Sequence, residues 1–132
     1  MHADLAIVLT ARPSYAKLKP IIRACVAADI SLDLYVCASA LLVRYGGVVE
    51  QVKADFGDVV DITTLPSVFE GSDPIHSVLS TSALMNHLGM AFSLRKPRLV
   101  MVMADRHETL AVSTAAAYQN IPVIHVQGGE RS

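Results

Sequence analysis

The stretch MVMADRHETLAVSTAAAYQNIPVIHVQGGERS, residues Met101 to Ser132, decides how this chain is read. It begins inside an apolar run, Leu99 to Met103, of the kind expected for a strand covered on both faces. The charged cluster Asp105, Arg106, His107 and Glu108 follows. A helix rich in small residues is predicted over Arg106 to Tyr118, and a second apolar strand over Val123 to Val126. That strand leads through His125 and Gln127 to Glu130. In a parallel sheet both strands deliver their polar ends to one edge, and that edge is where chemistry is expected.

Working outward, Leu5 to Leu9 is another continuous apolar run, fitting a central parallel strand. Leu18, Ile21, Ile22, Cys25 and Val26 then recur at helical spacing, predicting a helix from about Ser14 to Ala28. Pro20 lacks a backbone donor, so the helix is expected to start late or bend there. Leu32 to Cys37 reads as the second strand. Ser39 can cap a helix holding Leu41, Leu42 and Val43, broken at Gly46 and Gly47, before Val48, Val49, Val52 and Phe56 resume a helical stripe. Val59 to Thr63 reads as a third strand, and LPSVFEGSDP, residues 65–74, as a loop long enough for mobility or a role at the site. Asp73 followed by Pro74 predicts a capped helix start. The stripe Val78, Met85, Leu88 and Phe92 carries that helix to just before Pro97.

Strands alternating with helices predict a doubly wound, Rossmann-like α/β sheet with right-handed crossovers and strand order 3-2-1-4-5. Strands one and four are then neighbours that diverge into opposite crossovers. The turns at Arg12 and Asp105 meet at the resulting crevice.

The length of 132 residues allows one domain, residues 1–132, with a core of its own. At 52% apolar residues, but without an apolar run of about 18, it reads as soluble α/β rather than membrane-spanning. Asp4 interrupts the N-terminal apolar segment and no basic leader precedes it, so no signal peptide is expected. Eleven basic and twelve acidic residues leave a charge of −1, without the basic stripe of a nucleic-acid binder. Cys25 and Cys37 form neither a C-x-x-C pair nor a zinc pattern. Both read as small core residues in a reducing cytoplasm.

Several residues at the expected edge have two readings each. Arg12 and Lys17 can face an anion at a helix N-terminus, or form a solvated pair there. Asp105 and Glu108 have capping-box spacing, and Asp105 also stands where a general acid or base facing a ligand would be. Arg106 can clamp an anion or pair with Glu108. His125 and Gln127 alternate along the last strand and are expected on one face. Gly128 and Gly129 permit close backbone approach to a ligand. Glu130 is either a proton-transfer carboxylate or a brace. No i, i+3 or i, i+4 ligand pair supports a metal site, and no cofactor is implied.

The run ADRHETLAVSTAAAYQNIPVIHVQGGE, together with TARPSYAKLKPII near the start, resembles the N-terminal domain of the UDP-N-acetylglucosamine 2-epimerases, in particular the hydrolysing branch. The resemblance implies part of a two-domain, glycosyltransferase-B-like architecture. The second domain would supply much of the nucleotide site, so the chain alone would have little turnover. The implied reaction is elimination of UDP and inversion at C2 to release an N-acetylmannosamine-type sugar. It implies Asp105 and Glu130 as catalytic residues, and Arg12, Tyr15, Lys17, Arg106, His125, Gln127, Gly128 and Gly129 as substrate-binding ones. The implied partners are a UDP-N-acetyl-hexosamine and a further copy of the chain in a homo-oligomer. Gln127 departs from the pattern, since many members have there a Glu credited with proton transfer. The alternatives are a non-catalytic UDP-sugar-binding or oligomerisation domain, and part of a glycosyltransferase of the same architecture.

Overall fold

The computed structural model describes residues 2–129. Five parallel strands, β1 (Leu5–Leu9), β2 (Leu32–Cys37), β3 (Asp61–Leu65), β4 (Leu99–Met103) and β5 (Val123–Val126), alternate with four helices, α1 (Arg12–Ala27), α2 (Val49–Phe56), α3 (Pro74–Arg95) and α4 (His107–Ala117). The sheet order is β3-β2-β1-β4-β5, the order expected from the sequence. Because β1, β2 and most of β4 are buried on both faces, alternation is absent and their sequences are apolar apart from Asp33 of β2. Leu5, Ile7 and Leu9 point to one face, where Leu18, Ile22 and Phe56 of α1 and α2 cover them. Ala6, Val8 and Val102 point to the other, under Leu84 and Leu88 of α3 and Val112 of α4. Tyr35 meets Phe92 edge to face, with ring centroids 5.9 Å apart.

Two carboxylates are buried in this fold, Asp33 of β2 and Glu108 of α4. Asp33 is buried on β2, and Arg95 at the end of α3 donates to both its oxygens at 3.0 and 2.9 Å while also reaching Asp61 of β3 at 3.4 Å. A two-pronged bond of this kind offsets the desolvation of the carboxylate.

Local expectations were changed in five places. First, α1 starts at Arg12, with Pro13 in its first turn, and continues through Pro20. Pro20 and Ala16 are both exposed, so water can take the carbonyl that the missing amide leaves open. Second, residues 38–45 form two 3-10 turns, Ala38–Leu41 and Val43–Tyr45, instead of a capped helix. The Ser39 hydroxyl and the Ala40 amide both donate to the Thr10 carbonyl, drawing this segment onto the end of β1. Third, β3 lies two residues later than expected, because the Val59 and Val60 amides turn back to the Phe56 carbonyl. Fourth, Val78 is exposed, and the buried stripe of α3 is Ser80, Leu84, Leu88 and Phe92. The Asp73 side chain makes no cap there; its main-chain carbonyl accepts from the His76 amide. Fifth, α4 begins at His107, with Arg106 preceding it. Among the described residues no helix is long and apolar enough to cross a membrane.

Two consequences are measurable. Arg95→Ala strands the buried Asp33 carboxylate and should cost about 3 kcal/mol in urea unfolding. Burial, and secondarily the Glu108 charge, raises the Cys37 thiol pKa well above its ordinary value. Its contribution to stability is therefore complete below the unfolded thiol pKa of about 8.5 and is lost as pH rises beyond it. Native Cys37 should resist thiol reagents at pH 8, and Cys37→Ala should flatten the fall in unfolding midpoint between pH 8 and pH 10.

Candidate active site at the sheet's carboxyl edge

Parallel pairing of β1 with both β2 and β4 places three strand ends side by side. The chain leaves two of them, and later leaves β5, through a non-glycine residue in the left-handed region: Ala38 at φ 54°, Ala104 at 73° and Gln127 at 53°. Such a residue costs about 1 kcal/mol or more and persists only where neighbours hold it. Ala104 is held well. Its carbonyl accepts from the Thr109 hydroxyl at 2.7 Å and from His125 Nε2 at 2.8 Å, and its amide donates to Val126.

The left-handed turn at Ala104 decides where Asp105 goes. Asp105 does not cap α4. It accepts from the Gly129 amide at 2.9 Å, and its other oxygen lies 3.3 Å from His125 Nε2. A carbonyl can only accept, so in this contact His125 donates from Nε2 to the Ala104 carbonyl. Gly128 is required by this arrangement, because a Cβ there would run into the His125 ring. The close approach expected of Gly128 is thus made by His125.

Gln127 breaks the expected alternation. Its left-handed backbone sends the side chain to the α1 side of the sheet, where its Oε1 accepts from Lys17 Nζ at 3.0 Å, while His125 stays with Asp105. Tyr15 is buried, and its hydroxyl donates to Asp55 of α2. That bond and the bond from Lys19 hold the Asp55 carboxyl below its usual range, while burial and the same Asp55 push the Tyr15 phenol upward. Tyr15 therefore braces α1 on α2 and does not reach the edge.

An open cavity of about 920 Å3 lies over the carboxyl ends of the strands, walled by the segments that follow β1, β2, β3 and β4 and by the start of α3. Arg12 and Arg106 both line it, so these two predicted residues share one space. Asp105, Lys17, His125 and Gln127 are not part of its lining. Arg12 packs across Gly46, whose Cβ would come within 2.9 Å of the guanidinium, and has no carboxylate partner among the described residues. Residues not singled out from the sequence complete the wall. Arg44 stacks on Tyr45 at 4.8 Å and pairs with Glu70 at 2.9 Å. The loop after β3 does reach the site, tied down by the Phe69 amide donating to Ser80 Oγ at 2.8 Å. The pairing of Arg44 and Tyr45 with Gly46-Gly47, a turn signal, was the only hint that this segment folds back.

Glu108 forms the inner wall. It is 2% exposed, and Arg106 Nε approaches its Oε2 to 3.3 Å without the angle for a hydrogen bond, leaving that oxygen unpartnered. Arg106 thus leans on Glu108 while staying half exposed to the cavity, so the two readings of Arg106 are compatible. Three arginines against two glutamates, Glu70 and Glu108, leave the lining with a positive balance suited to an anion. Among the described residues no three His, Cys, Asp or Glu side chains gather as metal ligands would. Glu130 lies outside the described residues.

Comparison with known proteins gives concordant findings. Residues 25–132 match the sequence profile of the family described as UDP-N-acetylglucosamine 2-epimerase. The UDP-N,N'-diacetylbacillosamine 2-epimerase (hydrolyzing) of Legionella pneumophila is 34% identical over 79% of this chain and 27% of its own length. The UDP-N-acetylglucosamine 2-epimerase of Escherichia coli K12 is 31% identical over 92% of this chain and 30% of its own. A crystal structure of the Neisseria meningitidis UDP-GlcNAc 2-epimerase bound to UDP-GlcNAc superposes with TM-score 0.74 and 26% identity, covering 97% of this chain and 33% of that one. The chain therefore spans about a quarter to a third of the length of these relatives.

The contact between Gly128 and His125 supplies a test. Gly128→Ala should displace the imidazole and cost about 1–3 kcal/mol in thermal unfolding. In a His125→Ala background the same change should be nearly neutral, and a double-mutant cycle measures the difference.

Proposed function

This chain belongs to the UDP-N-acetylglucosamine 2-epimerase family, and from that premise we propose that it forms one wall of a hydrolysing 2-epimerase site for a UDP-2-acetamidosugar. The single observation that carries the reading is that Arg12 and Arg106, which follow the paired strands β1 and β4, line one cavity. A departing diphosphate concentrates negative charge, and two guanidinium groups beside the amino end of α1 are suited to receive it. Arg44 is the third cation lining that cavity, while Lys17, one turn into α1, is held outside its lining by Gln127.

The proposed chemistry removes the proton from C2 as the C1–O bond to UDP breaks, leaving a C1=C2 double bond. Water then adds its hydroxyl at C1 and a proton at C2 on the opposite face. The products are UDP and the free 2-epimeric sugar, and the two steps together consume one water. No carbonyl acidifies C2 directly, so proton removal and departure of UDP must advance together. Asp105 is the proposed proton-transfer group. The Gly129 amide fixes one of its oxygens, and the second faces His125. Gln127 cannot remove a proton at useful pH, and Glu130 is the remaining candidate for a second carboxylate. A second, Rossmann-like domain of the glycosyltransferase-B type would close the cavity and complete the nucleotide site, so the chain alone should release little or no UDP.

A non-catalytic UDP-sugar-binding domain is the second reading, favoured by the amide at residue 127. Titration calorimetry with UDP of a protein holding both domains should show binding that Arg12→Ala/Arg106→Ala weakens by more than about tenfold, and absence of binding there would remove the basis of both readings. In a protein holding both domains, Asp105→Asn should abolish release of free reducing sugar while UDP binding survives. Unchanged turnover would exclude Asp105 as the proton-transfer group, and release of a UDP-linked epimer would replace the hydrolysing assignment with the non-hydrolysing one. Full-rate UDP release by the chain alone would overturn the need for a second domain.

A further inference from the structure

Charge is divided unequally between the two helical layers. On one side of the sheet, α1 carries Arg12, Lys17, Lys19 and Arg23, and α2 carries Glu50, Lys53 and Asp55. On the other, no Asp, Glu, Lys or Arg occurs from Pro74 to Leu94, or from Thr109 to Gly129. The carboxylate that α4 does carry, Glu108, is turned inward and forms part of the cavity wall. It differs from the other buried carboxylate, Asp33, which receives two hydrogen bonds from Arg95. Oε2 of Glu108 is sealed from solvent and has no partner among the described residues, because Arg106 Nε approaches it without the angle to donate. Oε1 lies 3.6 Å from His107 Nε2, beyond hydrogen-bond reach. Two hydroxyls in the same lining are already committed, Ser39 to the Thr10 carbonyl and Ser80 to the main chain of Phe69. A buried carboxylate short of donors destabilises the fold that holds it, and its position in a cavity wall indicates a donor that arrives from outside.

We propose that Glu108 is a specificity-determining residue of this cavity, whose carboxylate accepts a hydrogen bond from an O–H or N–H group on the sugar half of a sugar nucleotide. The inference rests on the sugar-nucleotide reading above and adds the group that reads the sugar. Charge decides which half of the ligand meets it. Diphosphate oxygens are anionic acceptors, repelled by a carboxylate and attracted by Arg12, Arg44 and Arg106 of the same lining. Pyranose hydroxyls and an acetamido N–H are neutral donors, and a bond from one of them to an ionised acceptor is stronger than a bond to a neutral one. Glu70, the other carboxylate of the lining, is paired with Arg44 and 45% exposed, so water competes for it. Glu108 has neither a fixed partner nor water. A ligand that brings a donor satisfies it, and a ligand that lacks one leaves it unpaired, which is how a buried polar group discriminates between substrates.

Glu108→Met keeps the volume and removes the acceptor. Because the carboxylate serves the ligand at the expense of the fold, the thermal midpoint of the chain should rise by about 2 °C or more on this change. Titration calorimetry then compares UDP with UDP-N-acetylglucosamine in a protein holding both domains, in an Asp105→Asn background that stops turnover. Glu108→Met should weaken UDP-N-acetylglucosamine by more than about tenfold and UDP by less than about twofold. Glu108→Gln, which keeps an acceptor without the charge, should fall between. UDP-glucose, with a hydroxyl in place of the acetamido group, separates the two donors. If the effect of Glu108→Met persists with it, the donor is a ring hydroxyl; if the effect disappears, the donor is the acetamido N–H. Equal losses for UDP and UDP-N-acetylglucosamine, or no loss for either, would overturn the inference while leaving the UDP site in place. A lowered midpoint together with weakened UDP binding would reduce Glu108 to an anchor for Arg106 and overturn it likewise. Absence of UDP binding before any change at Glu108 would overturn the underlying reading and the inference together.

Discussion

The parallel pairing of β1 with β4 is the constraint on which the rest depends. Leu5 to Val8 lie opposite Leu99 to Val102, more than ninety residues later in the chain. Nothing local enforces that meeting. It is stabilised by burial on both faces, by α1 and α2 on one side and by α3 and α4 on the other. Once formed, it brings the turn at Thr10 to Arg12 beside the turn at Ala104 to Arg106, and the cavity between them is a by-product of two crossovers leaving in opposite directions. Arg12 and Arg106 share a space because two strands share a ladder.

Within that frame, small backbone choices set the chemistry. A left-handed Ala104 turns Asp105 away from α4 and toward Gly129 and His125, and a left-handed Gln127 separates its amide from His125 by a whole sheet face. Both are held by bonds from elsewhere in the fold, so the strain persists. The geometry of the edge is thereby fixed by main-chain torsions that no side-chain preference at alanine or glutamine would supply.

This explains what was legible in the residues beforehand. Strand order and layer assignment followed from apolar runs separated by helical periodicity, signals that extend over many residues and reflect the core directly. Arg12 and Arg106 were legible because their positions depend only on where strands end. Of the two readings of Asp105, the cap rested on its capping-box spacing from Glu108, and the torsion at Ala104 that turns it away from α4 leaves no mark in the sequence. The common face assigned to His125 and Gln127 failed for the same reason. Tyr15 sits among candidates for ligand contact in the chain yet is claimed by Asp55, a partner forty residues away. Val78 looked like core because α3 is apolar on both sides, and periodicity cannot say which of two apolar stripes faces the sheet.

The unequal division of charge between the two layers gives the molecule two surfaces governed by opposite solution variables. Around α1 and α2, where Lys19 meets Asp55 at 2.9 Å in reach of water, added simple salt screens the interactions and weakens them over a Debye length of about 10 Å or less. Around α3 and α4 there is little for such ions to screen. Sulfate or sucrose, excluded from protein surface, instead increases the tendency of that side to leave water. Sodium chloride and ammonium sulfate should therefore act on different sides of the same sheet.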